Sequence, residues 1–229
     1  MNYSRRQLIA AAASATLLAT TAKASTLAEV VAGLKDPPQP GPKPLPYVLP
    51  PQAVSPGPPV IDPRLLGRAR AAFDRFRPMI QRPGTVVIAD FAKASRDPRF
   101  YLLDTASGRV TQHLVAHGRG SDPGHSGYVE HFSNMFGSNA SSAGAYLTGD
   151  LYDGKYGRSM RVQGLESRNS NARARAIVIH SAWYSEPHVA AEHGKLGRSE
   201  GCFALSHQSL REVLARLGPG NFLYADKIV

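Results

Sequence analysis

The stretch Ala176–Leu205, AIVIHSAWYSEPHVAAEHGKLGRSEGCFAL, decides how the chain is read. Its opening, Ala176–Ile179, sets β-branched residues side by side, the composition of a buried strand, and that strand delivers His180 to its end. An irregular segment follows. Gly197-Arg198-Ser199-Glu200-Gly201-Cys202 then places the single cysteine of the chain directly after a glycine. Strand ends followed by glycine-rich turns are where a rigid scaffold presents reactive groups. A thiol is a nucleophile only as thiolate, and an imidazole within reach can generate it. The bland alternative is a small buried cysteine filling core space and a histidine capping a strand.

Outward from this stretch the apolar period is two. Thr85–Ala92 and Phe100–Asp104 read as strands, Thr105–Gly108 as a turn, and Arg109–Ala116 as the returning hairpin partner. Ala145–Leu151, Ser159–Leu165 and Asn221–Ala225 add further strands. Ser206–Leu217 reads as a helix N-capped by Ser206 and stopped by Gly218-Pro219. Arg64–Ile80 carries Leu65, Leu66, Ala69, Ala72, Phe73, Phe76, Met79 and Ile80 at helical spacing, with arginines opposite, and reads as one amphipathic helix packed on the domain. Many strands and few helices predict a mainly β sandwich or barrel with a few peripheral helices.

The N-terminus carries a different signal. Arg5-Arg6 precedes an apolar, Ala-rich run over Leu8–Ala19, and Ala22-Lys23-Ala24 supplies a small-residue cleavage site. This is a twin-arginine-type export signal over residues 1–24, too short to span a bilayer. It predicts a periplasmic protein without an integral membrane span after cleavage. Residues 25–63 read as a linker, because Lys35–Pro63 holds 12 of the 18 prolines and runs as extended polyproline II. The remainder, 64–229, is read as one domain, catalytic by the resemblance described below. Loss of Arg5, Arg6 and Lys23 lowers the formal charge from +10 to +7. Export argues against nucleic acid as the partner of this basic surface and leaves anionic lipid, an acidic wall polymer or a basic surface with no partner. One cysteine excludes an internal disulfide, and an unpaired thiol in an oxidising compartment is conspicuous unless it is kept for chemistry.

Two segments remain. His117–Ser142 is a long polar loop of the kind that is functional or disordered. Its His117, His125 and His131 lack the Cys or acid pattern of a zinc site, so they are read as surface histidines and no metal is expected. Tyr152–Gly157 reads as a hairpin tip with two aromatics, and Trp183 and Tyr184 as a pocket wall or simple packing.

His180, Ser181 and the run Ser199-x-Gly201-Cys202 resemble the signature of the L,D-transpeptidase (YkuD-type) catalytic domain, in which a His is followed after about fifteen residues by Ser/Thr-His-Gly-Cys. The flanking GLESRNSNARARAIVIHSAWY and GRSEGCFAL resemble the divergent proteobacterial branch of that family. The resemblance spans Thr85–Asp226. The gap here is 18 residues, Glu200 stands where the second His is usual, and Ala204 replaces the usual polar residue after the Cys. The resemblance implies Cys202 as nucleophile, His180 as base, the Ser181 carbonyl as its orienting partner, and the N–H groups of Gly201 and Cys202 as oxyanion donors. It implies peptide contacts from Ser199, Arg198, Tyr184, Asn134 and Ser138, the last two in a loop bordering the groove, and a flap at Tyr152–Gly157. The implied substrate is a peptidoglycan stem tetrapeptide, transferred to an amine in a 3-3 cross-link by a monomer without a cofactor. Hydrolysis by an L,D-carboxypeptidase or endopeptidase, and a non-catalytic wall-binding module, are the rival readings. A sortase lacks its Thr-x-x-x-Cys strand here.

Overall fold

The structure, a computed structural model, describes residues 61–229. The predicted export signal and the proline-rich stretch up to residue 60 lie outside them. Eight strands form one sheet: β1 (Arg82–Asp90), β2 (Phe100–Asp104), β3 (Val110–His113), β4 (Gly144–Gly154), β5 (Gly157–Gly164), β6 (Val178–Ser181), β7 (Phe203–Leu205) and β8 (Asn221–Asp226). Their spatial order is β3-β2-β1-β8-β4-β5-β6-β7. The pairs β1–β8 and β6–β7 are parallel and the others antiparallel.

The two ends of this sheet meet. Past β3, Ala116 N–H donates to Ala204 O of β7 at 2.8 Å. Ser199 N–H donates to His117 O and Arg119 N–H to Ser199 O, both at 2.8 Å. This seam makes the sheet a near-barrel, so the predicted mainly β architecture with peripheral helices is the observed one.

Strand alternation explains the two cores. Val87 and Ala89 of β1, with Leu223 and Ala225 of β8, face the interior cluster around Phe91, Phe100, Tyr146 and Phe203. Their neighbours Val86, Ile88, Phe222 and Tyr224 point the other way, against Leu65, Ala69 and Ala72 of helix α1 (Pro63–Arg75). Both faces of the central strands are therefore covered. Asp62 caps α1 by accepting from Arg64 N at 2.7 Å, with Pro63 at the first helical position. The predicted helix to Ile80 is shorter than expected. It ends at Arg75 and continues as a 3-10 turn over Arg77–Met79, because Pro78 has no N–H to give and its ring clashes with the carbonyl one turn back.

Three elements near the end of the sheet escaped the sequence reading. The segment after β6 holds a 3-10 turn at Trp183–Ser185 and helix α2 (Pro187–His193), ended by Gly194 with φ 68°. The three-residue β7 lies immediately after Cys202. Helix α3 (His207–Arg216) begins after Ser206, whose hydroxyl accepts from Ser209 N at 3.0 Å.

The seam rests on a buried polar cluster. His117, read from sequence as a surface histidine, is fully buried, because the chain turns inward there to pair with Ser199. Its Nδ1 accepts from Arg99 Nη2 at 2.7 Å, and its Nε2–H donates to Asp122 Oδ2 at 3.3 Å. Arg99 is itself fully buried and donates to the carbonyls of Val115 and Lys93. Burial, then the Arg99 charge, pushes the His117 pKa from 6.5 down to about 3. His125 is half-buried against Leu196 O at 3.0 Å, and only His131 is exposed.

Phe203 makes ring contacts with Phe91, Phe100 and Tyr146 at centroid separations of 5.6–6.2 Å. Phe203→Ala is expected to cost about 3–5 kcal/mol in denaturant unfolding, and a loss under about 1 kcal/mol would show that this cluster does not hold the seam. Between pH 6.5 and about 3 the unfolded chain binds a proton at residue 117 that the folded chain refuses. Stability therefore falls as pH falls through that window. The thermal midpoint should drop between neutral and acid pH, and drop less in His117→Gln.

Candidate active site

The parallel pair β6–β7 brings the two halves of the motif together, with His180 paired to Ala204 and Ile179 to Phe203. Cys202 thus enters from the turn that precedes β7, while His180 sits near the end of β6. Both line one cavity of about 410 Å³, together with Arg119, Lys155, Tyr156, Arg175, Tyr184, Arg198, Ser199 and Glu200.

The turn 199–202 is held from several sides. Ser199 Oγ donates to Cys202 O at 2.8 Å and accepts from Gly201 N–H at 3.1 Å. Gly201 has φ 113°, and a Cβ there would sit 2.6 Å from Ala140 O and 2.7 Å from the Ile177 side chain, so only glycine fits. The Gly201 N–H, expected from sequence as an oxyanion donor, is thus already engaged by Ser199.

His180 is buried, and its Nδ1–H donates to Ser181 O at 2.9 Å. That bond selects the tautomer whose Nε2 is free of a proton. The ring of Tyr156, from the hairpin tip between β4 and β5, stacks on the imidazole at 4.5 Å and 28°. Burial lowers the His180 pKa, and the Ser181 bond partly opposes it.

The Cys202 thiol donates to Ala176 O at 3.6 Å. Ala176 holds this carbonyl in place from a left-handed conformation, φ 56°, rare for a residue with a side chain. Burial pushes the thiol pKa from 9.0 up to about 11; Val178 backbone bonding and the Arg175 charge pull it down, and the Glu200 charge adds to the rise. In the resting site both partners are therefore uncharged. Glu200 pairs with Arg119 Nη2 at 3.1 Å, and both side chains are more than half exposed, so water screens its effect on the sulfur.

Other predicted contacts sort differently. Arg198 and Tyr184 line the cavity. Arg198 Nη1 donates to Asp122 O and to Pro123 O, the latter at 3.1 Å. Burial raises the Tyr184 pKa, keeping its hydroxyl protonated. Asn134 and Ser138 do not line the cavity. Asn134 is spent on the 167–171 turn: Nδ2 donates to Ser167 O and Ser170 Oγ, and Oδ1 accepts from Asn171 N. Ser138 donates to Met135 O and accepts from Arg175 Nη2. Their amide and hydroxyl groups brace loops rather than face a ligand.

Arg175 is the residue the sequence reading missed. Nη1 donates to Ser133 O and Ser142 Oγ, and Nη2 to Ser138 Oγ and Ala140 O. It pins the 133–142 loop, whose Ala140 carbonyl abuts Gly201, and keeps a positive charge beside the sulfur. In the run Arg173-Ala174-Arg175-Ala176 it looked like any surface arginine. Its place just before the strand that carries His180 was the one available signal. Among the described residues no group of three or more His, Cys, Asp or Glu side chains could hold a metal.

The family model of the L,D-transpeptidase catalytic domain matches residues 59–225. The chain belongs to that family. Among solved structures, the L,D-transpeptidase domain is similar to an L,D-transpeptidase from Mycobacterium smegmatis, with 14% identity, 62% of this chain and 58% of that one covered, and a TM-score of 0.39. It is similar to an L,D-transpeptidase from Xylanimonas cellulosilytica at 18% identity, covering 69% and 68%, TM-score 0.38. The helical cell shape determining protein Pgp2 from Campylobacter jejuni matches at 13% identity over 66% and 49%, TM-score 0.40. The L,D-transpeptidase fold here spans under two thirds of the Mycobacterium and Campylobacter chains. No curated protein matches the chain. Among the described residues no helix is long and apolar enough to cross a membrane.

Alkylation of Cys202 by iodoacetamide should rise with pH and inflect near about 11, well above a free thiol. Glu200→Gln removes a charge that opposes the thiolate, so its inflection should move down, and only slightly because the pair is exposed. A profile that inflects near neutrality in the wild-type protein would mean the sulfur rests as a thiolate paired with imidazolium.

Proposed function

We propose that the protein is a peptidoglycan L,D-transpeptidase of the periplasm in which Cys202 is the nucleophile and His180 the general base. The observation that carries this reading is that Cys202 and His180 line one cavity, with His180 Nδ1–H committed to Ser181 O at 2.9 Å, so that only Nε2 remains to accept a proton. In the resting site the thiol hydrogen points to Ala176 O. On substrate entry it turns to Nε2. The sulfur bonds to the carbonyl carbon at the third residue of a stem tetrapeptide as Nε2 takes the proton. The C–N bond to the terminal D-alanine then breaks, and His180 returns the proton to the departing amine. An amine of a second stem attacks the thioester, gives its proton to His180, and leaves a 3-3 cross-link and a free thiol. The Cys202 N–H serves the oxyanion, since the Gly201 N–H is held by Ser199. Two neutral partners suit this order of events, because the proton moves only when a carbonyl is present to receive the sulfur, and the resting sulfur is protected from oxidation.

Incubation of the protein with a stem tetrapeptide should give a mass adduct on Cys202 equal to the peptide less D-alanine. Cys202→Ala should give none, and His180→Gln should slow adduct formation by about 10²–10⁴-fold. No adduct on the wild-type protein would refute the acyl-enzyme reading. Cross-linked dimers among the products mark transfer, and tripeptides alone would mark a hydrolase.

A further inference from the structure

The cavity is strongly cationic. Four basic side chains line it, Arg119, Lys155, Arg175 and Arg198, against one acid, Glu200. His180 is held neutral by its burial. The four cations differ in what they have left to offer. Arg119 is neutralised by Glu200 at 3.1 Å. Both terminal nitrogens of Arg175 are bonded to the 133–142 loop, and Arg198 Nη1 to two carbonyls. Their charge remains, but both terminal nitrogens of Arg175 are committed, and Arg198 is tethered through Nη1 to the 122–123 backbone. Lys155 differs. Among the described residues no carboxylate or hydrogen-bond acceptor meets its ammonium, which lies 5.4 Å from the centre of the Tyr156 ring. The neighbouring acid Asp153 is drawn away by Arg158 at 3.2 Å.

Lys155 also has a defined reach. Its ammonium is 5.4 Å from the Tyr156 ring centre, which is 4.5 Å from the His180 ring centre, so it lies within about 10 Å of the imidazole. Three residues of extended peptide span about 10 Å. An ammonium offers three donors on a flexible stem, suited to a carboxylate whose direction of approach is not fixed.

We propose that this cavity selects acyl donors bearing a carboxylate within about three residues of the bond under attack, and that Lys155, at the hairpin tip, is the group that receives it. The ligand class is an anionic peptide. The proposal rests on the acyl-transfer reading for its substrate, but the selection of anions follows from the charges themselves. A carboxylate brought near a forming thiolate repels it. The uncompensated cations of the wall offset that repulsion and raise the local concentration of the anion. Because Lys155 rides on the hairpin whose Tyr156 already stacks on His180, a bound anion holds the tip in place over the imidazole.

The test separates anion selection from transpeptidation. Iodoacetate and iodoacetamide alkylate the same sulfur with the same leaving group and differ in charge, so their rate ratio reads the field at Cys202. In the full-length protein that ratio should exceed the ratio for free cysteine by about tenfold at low salt, and approach it as salt rises from about 10 mM to about 1 M. Lys155→Gln should lower the ratio about threefold or more, and Lys155→Arg should keep it. In parallel, stem tetrapeptide with free carboxyl groups is compared with its fully amidated form. The preference in kcat/KM for the acid form should narrow about tenfold in Lys155→Gln and be restored in Lys155→Arg. A wild-type ratio equal to that of free cysteine, or a ratio unmoved by Lys155→Gln, overturns the proposal. A ratio that falls as expected while neither peptide is turned over leaves anion selection standing and defeats the transpeptidase reading.

Discussion

The domain depends on the seam where its sheet closes on itself. Residues 116–119 run beside 199–204, with backbone bonds from Ala116 to Ala204, from Ser199 to His117 and from Arg119 to Ser199. The approach is so tight that a Cβ on Gly118 would sit 2.7 Å from the Gly201 Cα. Two glycines facing each other allow backbone to pack on backbone where any side chain would hold the strands apart. The same contact that closes the near-barrel therefore shapes the turn that carries Cys202. Ser141 completes it, since its Oγ accepts from Gly118 N and donates to Gly201 O.

Beneath the seam, an unusual amount of polarity is buried. Arg99, His117 and Asp122 are all solvent-excluded. Burial lowers the Arg99 pKa to about 9, yet it remains a cation at neutral pH. Each polar group has a partner. Arg99 serves two carbonyls and a ring nitrogen, and Asp122 accepts from Ser126 and Gly127 as well as His117. A fully satisfied network of this kind is rigid, because breaking one bond strands a charge in a low-dielectric interior. It gives the loop that follows β3, which is long and polar, a single path past Cys202. Cys202 and His180 are organised in the opposite sense, with burial raising the thiol pKa and lowering that of the imidazole. The Arg175 charge at the cavity wall draws the thiol pKa back down.

Much of this was legible in the chain. Apolar runs of β-branched or aromatic residues at Thr85–Ala92 and Asn221–Ala225 identified strands, and Ser206 marked a helix start, because those signals are local. The glycine-then-cysteine turn and the strand-end histidine made Cys202 and His180 candidates for the same reason, each being written in its own neighbouring residues, and one cavity holds both. Less could be read where a side chain's role depends on what lies across the fold. Asn134 and Ser138 are polar and near the groove in sequence, yet tertiary contacts spend them on Asn171, Ser167 and Arg175. His117 looked like a loop histidine until the seam drew it inside.

The sequence alone determined the candidate pair of His180 and Cys202, the strand and helix alternation and the basic balance of the chain, since each follows from the order and chemistry of neighbouring residues. Only the tertiary structure decided which groups meet. Pairing β6 with β7 in parallel brings residues 180 and 202 to one cavity. Closing the sheet buries His117 and sets Gly118 against Gly201. The loop from 133 to 142 makes Arg175 its anchor. These are contacts between residues tens of positions apart, and their geometry is set by packing and hydrogen-bond satisfaction across the whole sheet rather than by any local pattern.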